Sequence, residues 1–344
     1  MSILAMEKVG DELWIGTFSN GLFILNTKTG HGRQIKKGFL STNISGNDVF
    51  CIKKDSRGNV WIGTNGQGIN FYDSKKREFS ERSEQSGLLG KIHLNGFIRS
   101  IEEDVRGNIW IGSCGAGIAV YNPVSGETKV MNKGNSNIPS ENISTIYCTS
   151  KEGVWIGSPG YGLISYNETK NKFDTYTEKN GLANDVVYKI LEDLSGKLWL
   201  STNKGISSFD VSKKAFKNYS SYNGIQNSPF VHGAGLKLAD GRLFFGGTDG
   251  FNYFDPKKLY LNRNIPTVVF TDLKIANQSV SPKENSAIEE HISVAKEINL
   301  NYKQNFSLSF AALNYTSPQE NRYFYKLENF DKEWNNIGNA NTAV

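Results

Sequence analysis

The stretch that decides the fold is NVWIGTNGQGINFYD, which runs from Asn59 to Asp73. It consists of two short apolar segments of the kind that form strands, and a glycine-rich turn separates them. Close variants of this phrase occur six times, with leading aromatic residues at positions 14, 61, 110, 155, 199 and 244, which are 44 to 49 residues apart. Internal repeats with a period in the forties are typical of solenoids and propellers.

Each repeat contains two further strand-like segments. An alternating segment with a tight turn precedes the phrase, as in VFCIKKDSRGN at residues 49–59, and a weaker strand follows it, as in KFDTYTEK at residues 172–179. Four antiparallel strands repeated around an axis form the blades of a β-propeller, and blades stack because one sheet cannot cover its own faces. The repeat therefore predicts an all-β fold in which one aromatic side chain per blade fills the core: Trp14, Trp61, Trp110, Trp155, Trp199 and Phe244.

Composition excludes several classes of protein. The net charge is +5 and no Lys/Arg run is long enough to indicate nucleic-acid binding. The three cysteines have no C-x-x-C spacing, which argues against a disulfide framework or a metal site. The first ten residues do not have the pattern of a signal peptide, and no apolar run is long enough to span a membrane. We expect no membrane contact within this chain.

Motifs that carry catalysis are missing from the sequence. The four histidines do not form an H-E-x-x-H motif, and neither a G-x-S-x-G elbow nor a phosphate-binding loop is present. Acidic residues such as Asp55 and Asp104 recur in the turns of the repeats, where a carboxylate caps backbone N–H groups. The sequence therefore predicts no catalytic residue, no metal and no cofactor.

The repeat pattern ends after Leu261, and two further alternating regions follow without the Trp phrase. We therefore predict two domains, a propeller at residues 1–262 and a second all-β module at residues 263–344.

Two motifs resemble a known family. DSRGNVWIGT at residues 55–64 and DVRGNIWIGS at residues 104–113 resemble the two-component regulator propeller repeat. The family propeller usually closes with seven blades, so the resemblance implies that six visible repeats form a partial propeller. RYFYKLENFDKEW at residues 322–334 resembles the tyrosine-rich module that follows such propellers. It implies a truncated Ig-like β-sandwich in which Tyr323, Tyr325 and Trp334 are packing residues.

The resemblance also implies a function. Similar regions form the periplasmic part of hybrid two-component sensors of Bacteroidetes type, which are anchored in the membrane, detect oligosaccharides and regulate polysaccharide utilisation. On this interpretation the chain senses a ligand, the kinase lies in other domains, and the full-length protein forms a homodimer through the tyrosine-rich module.

The strand order of a blade sorts its loops by face. Loops between the second and third strands share a face with the connections between blades, and these segments are rich in Asn, Gln, Ser and Gly with scattered aromatic residues. Such side chains can hydrogen-bond sugar hydroxyls and stack on sugar rings, although turns also favour Asn and Gly for their backbone conformation. The candidate ligand-binding residues are Phe18, Asn20, Asn65, Gln67, His93, Asn95, Tyr161, Asn203, Tyr222 and His232.

Two alternatives remain open at this point. A propeller lyase acting on a polysaccharide or a small molecule would use a histidine-centred site, for which His93 and His232 are the candidates on this face. A protein-interaction scaffold would use the same face to bind a partner.

Overall fold

The structure is a computed structural model that describes residues 2–38, 40, 42–80, 92, 94, 96–151, 153–259, 266–314, 318 and 321–344. The predicted all-β fold is confirmed, because the chain folds into small antiparallel sheets with only short 3₁₀ turns. It divides into two compact units, Met1–Leu259 and Tyr260–Val344. None of the helices in the described ranges has the length and apolar character needed to cross a membrane.

The larger unit contains six consecutive sheets, which we call blades 1 to 6. The strands of blades 1 to 3 are β1 Ile3–Val9, β2 Glu12–Thr17, β3 Leu22–Asn26, β4 Gly32–Ile35, β5 Val49–Lys54, β6 Val60–Thr64, β7 Ile69–Asp73, β8 Glu78–Phe79, β9 Phe97–Glu103, β10 Ile109–Cys114, β11 Gly117–Tyr121 and β12 Thr128–Met131. Those of blades 4 to 6 are β13 Thr145–Cys148, β14 Val154–Ser158, β15 Gly162–Asn167, β16 Lys172–Tyr176, β17 Val187–Glu192, β18 Leu198–Thr202, β19 Gly205–Asp210, β20 Ala215–Tyr219, β21 Phe230–Lys237, β22 Leu243–Gly247 and β23 Gly250–Phe254. Short 3₁₀ helices occupy Glu178–Asn180, Ser221–Asn223 and Pro256–Lys258.

The blades are arranged as in a propeller. Within each blade the strands pair in sequence order, and the first strand of each blade contacts the first strand of the next: β1 lies against β5, β5 against β9, β9 against β13, β13 against β17, and β17 against β21. The first strands therefore form the inner wall around an axis, and the predicted propeller architecture is confirmed.

The repeated tryptophan fills the space between neighbouring blades. Trp110 of blade 3 packs on Tyr166 of blade 4, with the ring centroids 5.8 Å apart, and Trp155 packs on Phe209 of blade 5 at 5.5 Å. Each partner lies on the third strand of the following blade, and Trp14, Trp61 and Trp199 find equivalent partners in Tyr72, Tyr121 and Phe254. All five indoles are at most 6% exposed, so each blade closes over the aromatic residue of the blade before it.

The aspartate of the turn lies six residues before the tryptophan, and a hydrogen bond joins the two side chains. The indole N–H of Trp110 donates to Oδ2 of Asp104 at 2.9 Å, while Oδ1 of Asp104 accepts the backbone N–H groups of Arg106 and Asn108. Burial of Asp104 raises the pKa of its carboxyl, but the hydrogen bonds from Trp110, Asn108 and Arg106 together outweigh burial and hold the pKa below its ordinary value. The turn aspartates thus cap backbone groups as predicted and also anchor the core aromatic residue.

Close approach of the blades requires a small residue two positions after the tryptophan. A Cβ atom at Gly112 would lie 2.6 Å from Cγ2 of Ile143 in the connection that leads into blade 4, a distance that side chains do not tolerate. Glycine at this position therefore lets the twisted sheets meet without a gap.

Blade 6 departs from the predicted core. Phe244 is only half-buried, and the fully buried aromatic residue of this blade is its neighbour Phe245. Phe244 contacts Tyr253 of its own blade, at 5.3 Å between ring centroids, but no aromatic residue of a following blade covers it in the described residues, as one covers each tryptophan. The prediction that Phe244 is a core residue equivalent to the tryptophans is corrected accordingly.

The smaller unit contains one sheet and one ribbon. The sheet has the order β25–β24–β26–β29, and β27 pairs with β28. The strands are β24 Val268–Ile275, β25 Gln278–Ser279, β26 Phe306–Ala312, β27 Tyr323–Tyr325, β28 Asn335–Gly338 and β29 Thr342–Ala343. The Ig-like architecture stays a prediction.

The predicted packing residues of the smaller unit behave differently from one another. Tyr323 packs edge-to-face on Phe310 and its hydroxyl oxygen accepts the N–H of Ala312, while the hydroxyl of Tyr325 donates to the carbonyl of Val344. Trp334 is 65% exposed and does not pack as predicted, because the two-stranded ribbon that it adjoins cannot cover both of its own faces.

Candidate functional site

The face that carries the loops between second and third strands holds most of the candidate residues. We call it the loop face, defined by residues 17–21, 64–68, 113–117, 158–162, 202–205 and 247–250. Phe18, Tyr161 and Tyr222 are exposed but belong to separate parts of the propeller, and Lys133 Nζ lies 6.0 Å from the ring centre of Tyr161. Phe18 and Tyr161 lie on the loop face and Tyr222 lies in the connection between blades 5 and 6, so the three aromatic residues do not form one site.

Several candidate polar groups hold the loops together. The amide nitrogen of Asn65 donates to Asp48, that of Asn20 donates to the carbonyl of Phe18, and the Gln67 side chain covers Gly46. These groups have a structural role in the loop face. His93 and Asn95 lie outside the described residues.

A series of β-bulges on the inner strands positions a second group of side chains. Only some of them are among the candidate residues predicted from the sequence. In five of the six blades, the register between the first and second strands shifts near the loop face. A bulge leaves a residue unpaired and re-aims its side chain. The unpaired residues are Leu4, Phe50, Arg99, Tyr188 and residues 231–234, which include His232.

Side chains from four blades form two contact groups at these bulges, at the same end of the inner strands. The Cζ atom of Arg99 in blade 3 lies 3.9 Å from the ring centre of Phe50 in blade 2 and 5.9 Å from that of Phe97. Tyr188 of blade 5 meets His232 of blade 6 edge-to-face, with 4.6 Å between ring centroids. We call this group the axial mouth: Phe50, Phe97, Arg99, Tyr188, Lys189, Asn203 and His232.

The two halves of the axial mouth influence each other electrostatically. The pKa of His232 is lowered by burial and, in addition, by the charge of Arg99, although two blades separate their strands. His232 is nevertheless exposed to solvent as a residue. The hydroxyl of Tyr188 donates to Oδ1 of Asn203 at 2.5 Å, which ties a candidate amide to the same site. The structure therefore brings Asn203 and His232 together through Tyr188.

Charge is distributed unevenly along the axis. The side chains of Arg99 and Lys189 form no ion pair or hydrogen bond within the described ranges. Lys189 lies near enough to Cys51 of blade 2 to oppose the effect of burial, which raises the pKa of that thiol to about 12. Toward the other end of the inner strands, Lys53 Nζ pairs with Oε2 of Glu102 at 2.5 Å. At the axial mouth, therefore, two cationic side chains have no ion-pair partner among the described residues, whereas Lys53 at the other end has one.

A further carboxylate lies at the end of the inner strands opposite the axial mouth. Burial raises the pKa of Glu7, and its Oε1 accepts the backbone N–H of Lys54 at 3.2 Å. This end of the axis therefore holds two carboxylates, Glu7 and Glu102, with Lys53 between them.

The cysteine thiols and the possible metal ligands give little support for catalysis. Burial raises the pKa of both the Cys51 and the Cys148 thiols, so neither is a thiolate at neutral pH. No cluster of three His, Cys, Asp or Glu side chains suited to a metal ion occurs in the part of the chain that the structure describes.

A large cleft lies on the opposite face, between blades 3 and 4. It has a volume of about 590 Å³ and is lined by residues that include Arg106, Trp110, Lys129 and Tyr166. Its charged groups already have partners, since Arg106 pairs with Glu168 and Lys129 Nζ lies 2.8 Å from the hydroxyl oxygen of Tyr166. The basic side chains of the cleft are therefore already engaged within the protein.

Sequence reasoning missed Phe50, Arg99 and Tyr188, but a signal for them exists. All three stand 11 residues before the tryptophan of their own repeat, next to positions that stay β-branched, such as Val49, Ile98 and Val187. This position holds Phe, Arg or Tyr in these repeats, whereas the position before it is β-branched in each. Blade packing therefore does not determine which residue stands there.

Comparison with known proteins identifies the repeats. Residues 43–66 and 93–115 match the family profile described as two component regulator propeller. This chain contains two-component regulator propeller repeats. A histidine kinase named P4 from Formosa agariphila is 27% identical over 353 residues, which cover 98% of this chain and 25% of that protein.

Solved structures with a similar fold support the same assignment. The extracellular domain of a protein named as a hybrid two-component system of B. thetaiotaomicron is 27% identical, with a TM-score of 0.64 over 99% of this chain and 50% of that one. This chain is thus homologous to the extracellular domain of that system, and it spans only half of that solved chain. Virginiamycin B lyase from Staphylococcus aureus has a TM-score of 0.58 over 76% of this chain and 85% of its own, but the identity of 15% shows a shared fold alone.

Proposed function

We propose that this chain is the extracytoplasmic, ligand-sensing part of a hybrid two-component signalling protein. Homology to extracellular domains of hybrid two-component systems supports this proposal. In this role the chain is part of a membrane-anchored periplasmic protein, its kinase lies in other domains, and the full-length protein acts as a homodimer. The chain itself binds a ligand and performs no chemistry.

The proposed ligand is an oligosaccharide, bound at the axial mouth. The observation that carries this proposal is that two groups of bulged side chains, from blades 2 and 3 and from blades 5 and 6, lie at the same end of the axis. Phe97 is exposed and offers an apolar ring face, and Asn203 uses its amide oxygen for Tyr188, which leaves its amide nitrogen as a donor. Aromatic faces beside polar donors suit a sugar ring and its hydroxyl groups. Detection of such sugars would regulate polysaccharide utilisation.

A panel of plant, host and microbial oligosaccharides tests the proposal by thermal unfolding of the full chain. A ligand present at ten times its dissociation constant adds about 1.4 kcal/mol to the stability of the folded state. We expect a rise in Tm of about 3 °C with one class of sugar, and no product in the same sample. If no member of a broad panel shifts the Tm, the oligosaccharide proposal is contradicted.

A lyase remains the second candidate because His232 lies in the axial mouth with a lowered pKa. A neutral imidazole can act as a general base at pH 7. A Tm shift accompanied by an unsaturated product would favour this candidate over the sensor.

A further inference from the structure

The strongest unexplained feature of the axial mouth is its positive charge. Arg99 is partly buried on the inner strand β9, and in the described ranges it makes neither an ion pair nor a hydrogen bond. A guanidinium carries five N–H donors, and leaving such a group partly desolvated without acceptors costs free energy. The Phe50 ring at 3.9 Å attracts the charge, but it does not replace oxygen acceptors for the N–H groups.

A second cation lies on the same stretch of the axis. Lys189 of blade 5 is also without an ion pair in the part of the chain that the structure describes, and its charge reaches Cys51 of blade 2. The nearby carboxylate of Asp48 already accepts hydrogen bonds from Ser19 and Asn65, and at the opposite end of the inner strands Glu102 is paired with Lys53. An anion would therefore be attracted to Arg99 and Lys189 at the mouth.

The aromatic rings near Arg99 and Lys189 limit which class of ligand fits the site. Phe97 is exposed and its ring centre lies 5.9 Å from Cζ of Arg99, while Tyr188 and His232 border the site from the other side. An inorganic anion would use the cations but not the ring faces. A neutral sugar would use the ring faces but leave Arg99 and Lys189 without counter-charges.

We infer that the axial mouth binds an acidic saccharide, whose carboxylate or sulfate group pairs with Arg99 and Lys189 and whose ring packs beside Phe97 and Tyr188. This inference rests on the proposed function and specifies the class of its ligand. Arginine binds both carboxylate and sulfate through paired N–H groups, so the site alone recognises the shared oxyanion chemistry.

Matched pairs of sugars test the inference by titration calorimetry on the full chain. The probes are oligogalacturonate and its carboxyl-reduced form, and a sulfated galactan oligosaccharide and its desulfated form. We expect an acidic member to bind at least about 10-fold more tightly than its neutral counterpart, because a charge-assisted hydrogen bond is lost with the acid group. The two pairs distinguish a carboxylate from a sulfate ligand.

Variants locate the effect at Arg99. Arg99→Ala is expected to weaken binding of the acidic sugar by about 10- to 100-fold, and Arg99→Lys to weaken it less, since lysine keeps the charge without the fork. Arg242→Ala is the matched control, because Arg242 is exposed and pairs with Asp240 in a turn at the opposite end of blade 6. Unchanged thermal unfolding of each variant shows that it is folded.

The outcomes separate the inference from the proposed function. Equal affinity for acidic and neutral members, unaffected by Arg99→Ala, would overturn the inference and leave the oligosaccharide sensor intact. Loss of binding in Arg242→Ala but not in Arg99→Ala would also overturn it, since the acidic group would then bind elsewhere. Failure of every probe and of the wider panel would contradict both.

Discussion

Replacing Trp110 with alanine is expected to lower the free energy of unfolding of the larger unit by about 3–5 kcal/mol. The indole is 1% exposed, lies between blades 3 and 4, and contacts Tyr166 while its N–H bonds to Asp104. Its removal leaves a cavity between the two sheets, and neither sheet can move by itself to fill that cavity. Guanidinium unfolding of the full chain, followed by circular dichroism, measures the change in the midpoint of the larger unit.

Trp334→Ala is the matched control for this substitution. Trp334 is the same residue type but is 65% exposed, so we expect a change within about 0.5 kcal/mol. Equal losses for Trp110→Ala and Trp334→Ala would contradict the account of the tryptophan as an inter-blade core residue.

Replacing Asp104 with alanine is expected to cost about 2–4 kcal/mol at pH 7, because the buried indole N–H and the backbone N–H groups of the turn lose their common acceptor. Asp174→Ala is the control, since Asp174 is exposed and pairs only with Lys172 at the surface. Denaturant midpoints of the two variants at pH 7 provide the comparison.

The effect of Asp104 also depends on pH. Its pKa in the folded protein lies below the unfolded value of about 3.9, so its carboxylate stabilises the fold above that pH and loses this contribution as the pH falls through the folded pKa. The difference between wild type and Asp104→Ala should therefore shrink below about pH 4. A difference that stays constant from pH 7 to pH 3 would show that the charged carboxylate is not the stabilising form.

The repeat made most of the fold predictable. A fixed phrase with a fixed aromatic residue indicates one blade per repeat, and the spacing of six residues between Asp104 and Trp110, repeated at Asp193 and Trp199, could have suggested their hydrogen bond. Phe244 was mistaken for a core residue because the phrase records strand position, whereas burial depends on what the next blade places over it.

The axial mouth was less predictable for a physical reason. A β-bulge is a shift of one residue in strand pairing, and no residue type is required at the unpaired position, where Phe50, Arg99 and Tyr188 differ completely. Loop composition drew attention to Phe18, Tyr161 and Tyr222, which point to the correct face but not to the axis. Only His232 and Asn203 were recognised among the residues that converge there.

Hydrogen–deuterium exchange of the full chain, with and without the sugar that raises its Tm, tests most directly whether the ligand binds at the axial mouth. The account predicts slower exchange in peptides that contain the bulges of β5, β9, β17 and β21, because their unpaired amides lie beside the proposed ligand. Protection confined to the peptides that line the cleft between blades 3 and 4, around Arg106, Lys129 and Glu168, would contradict it.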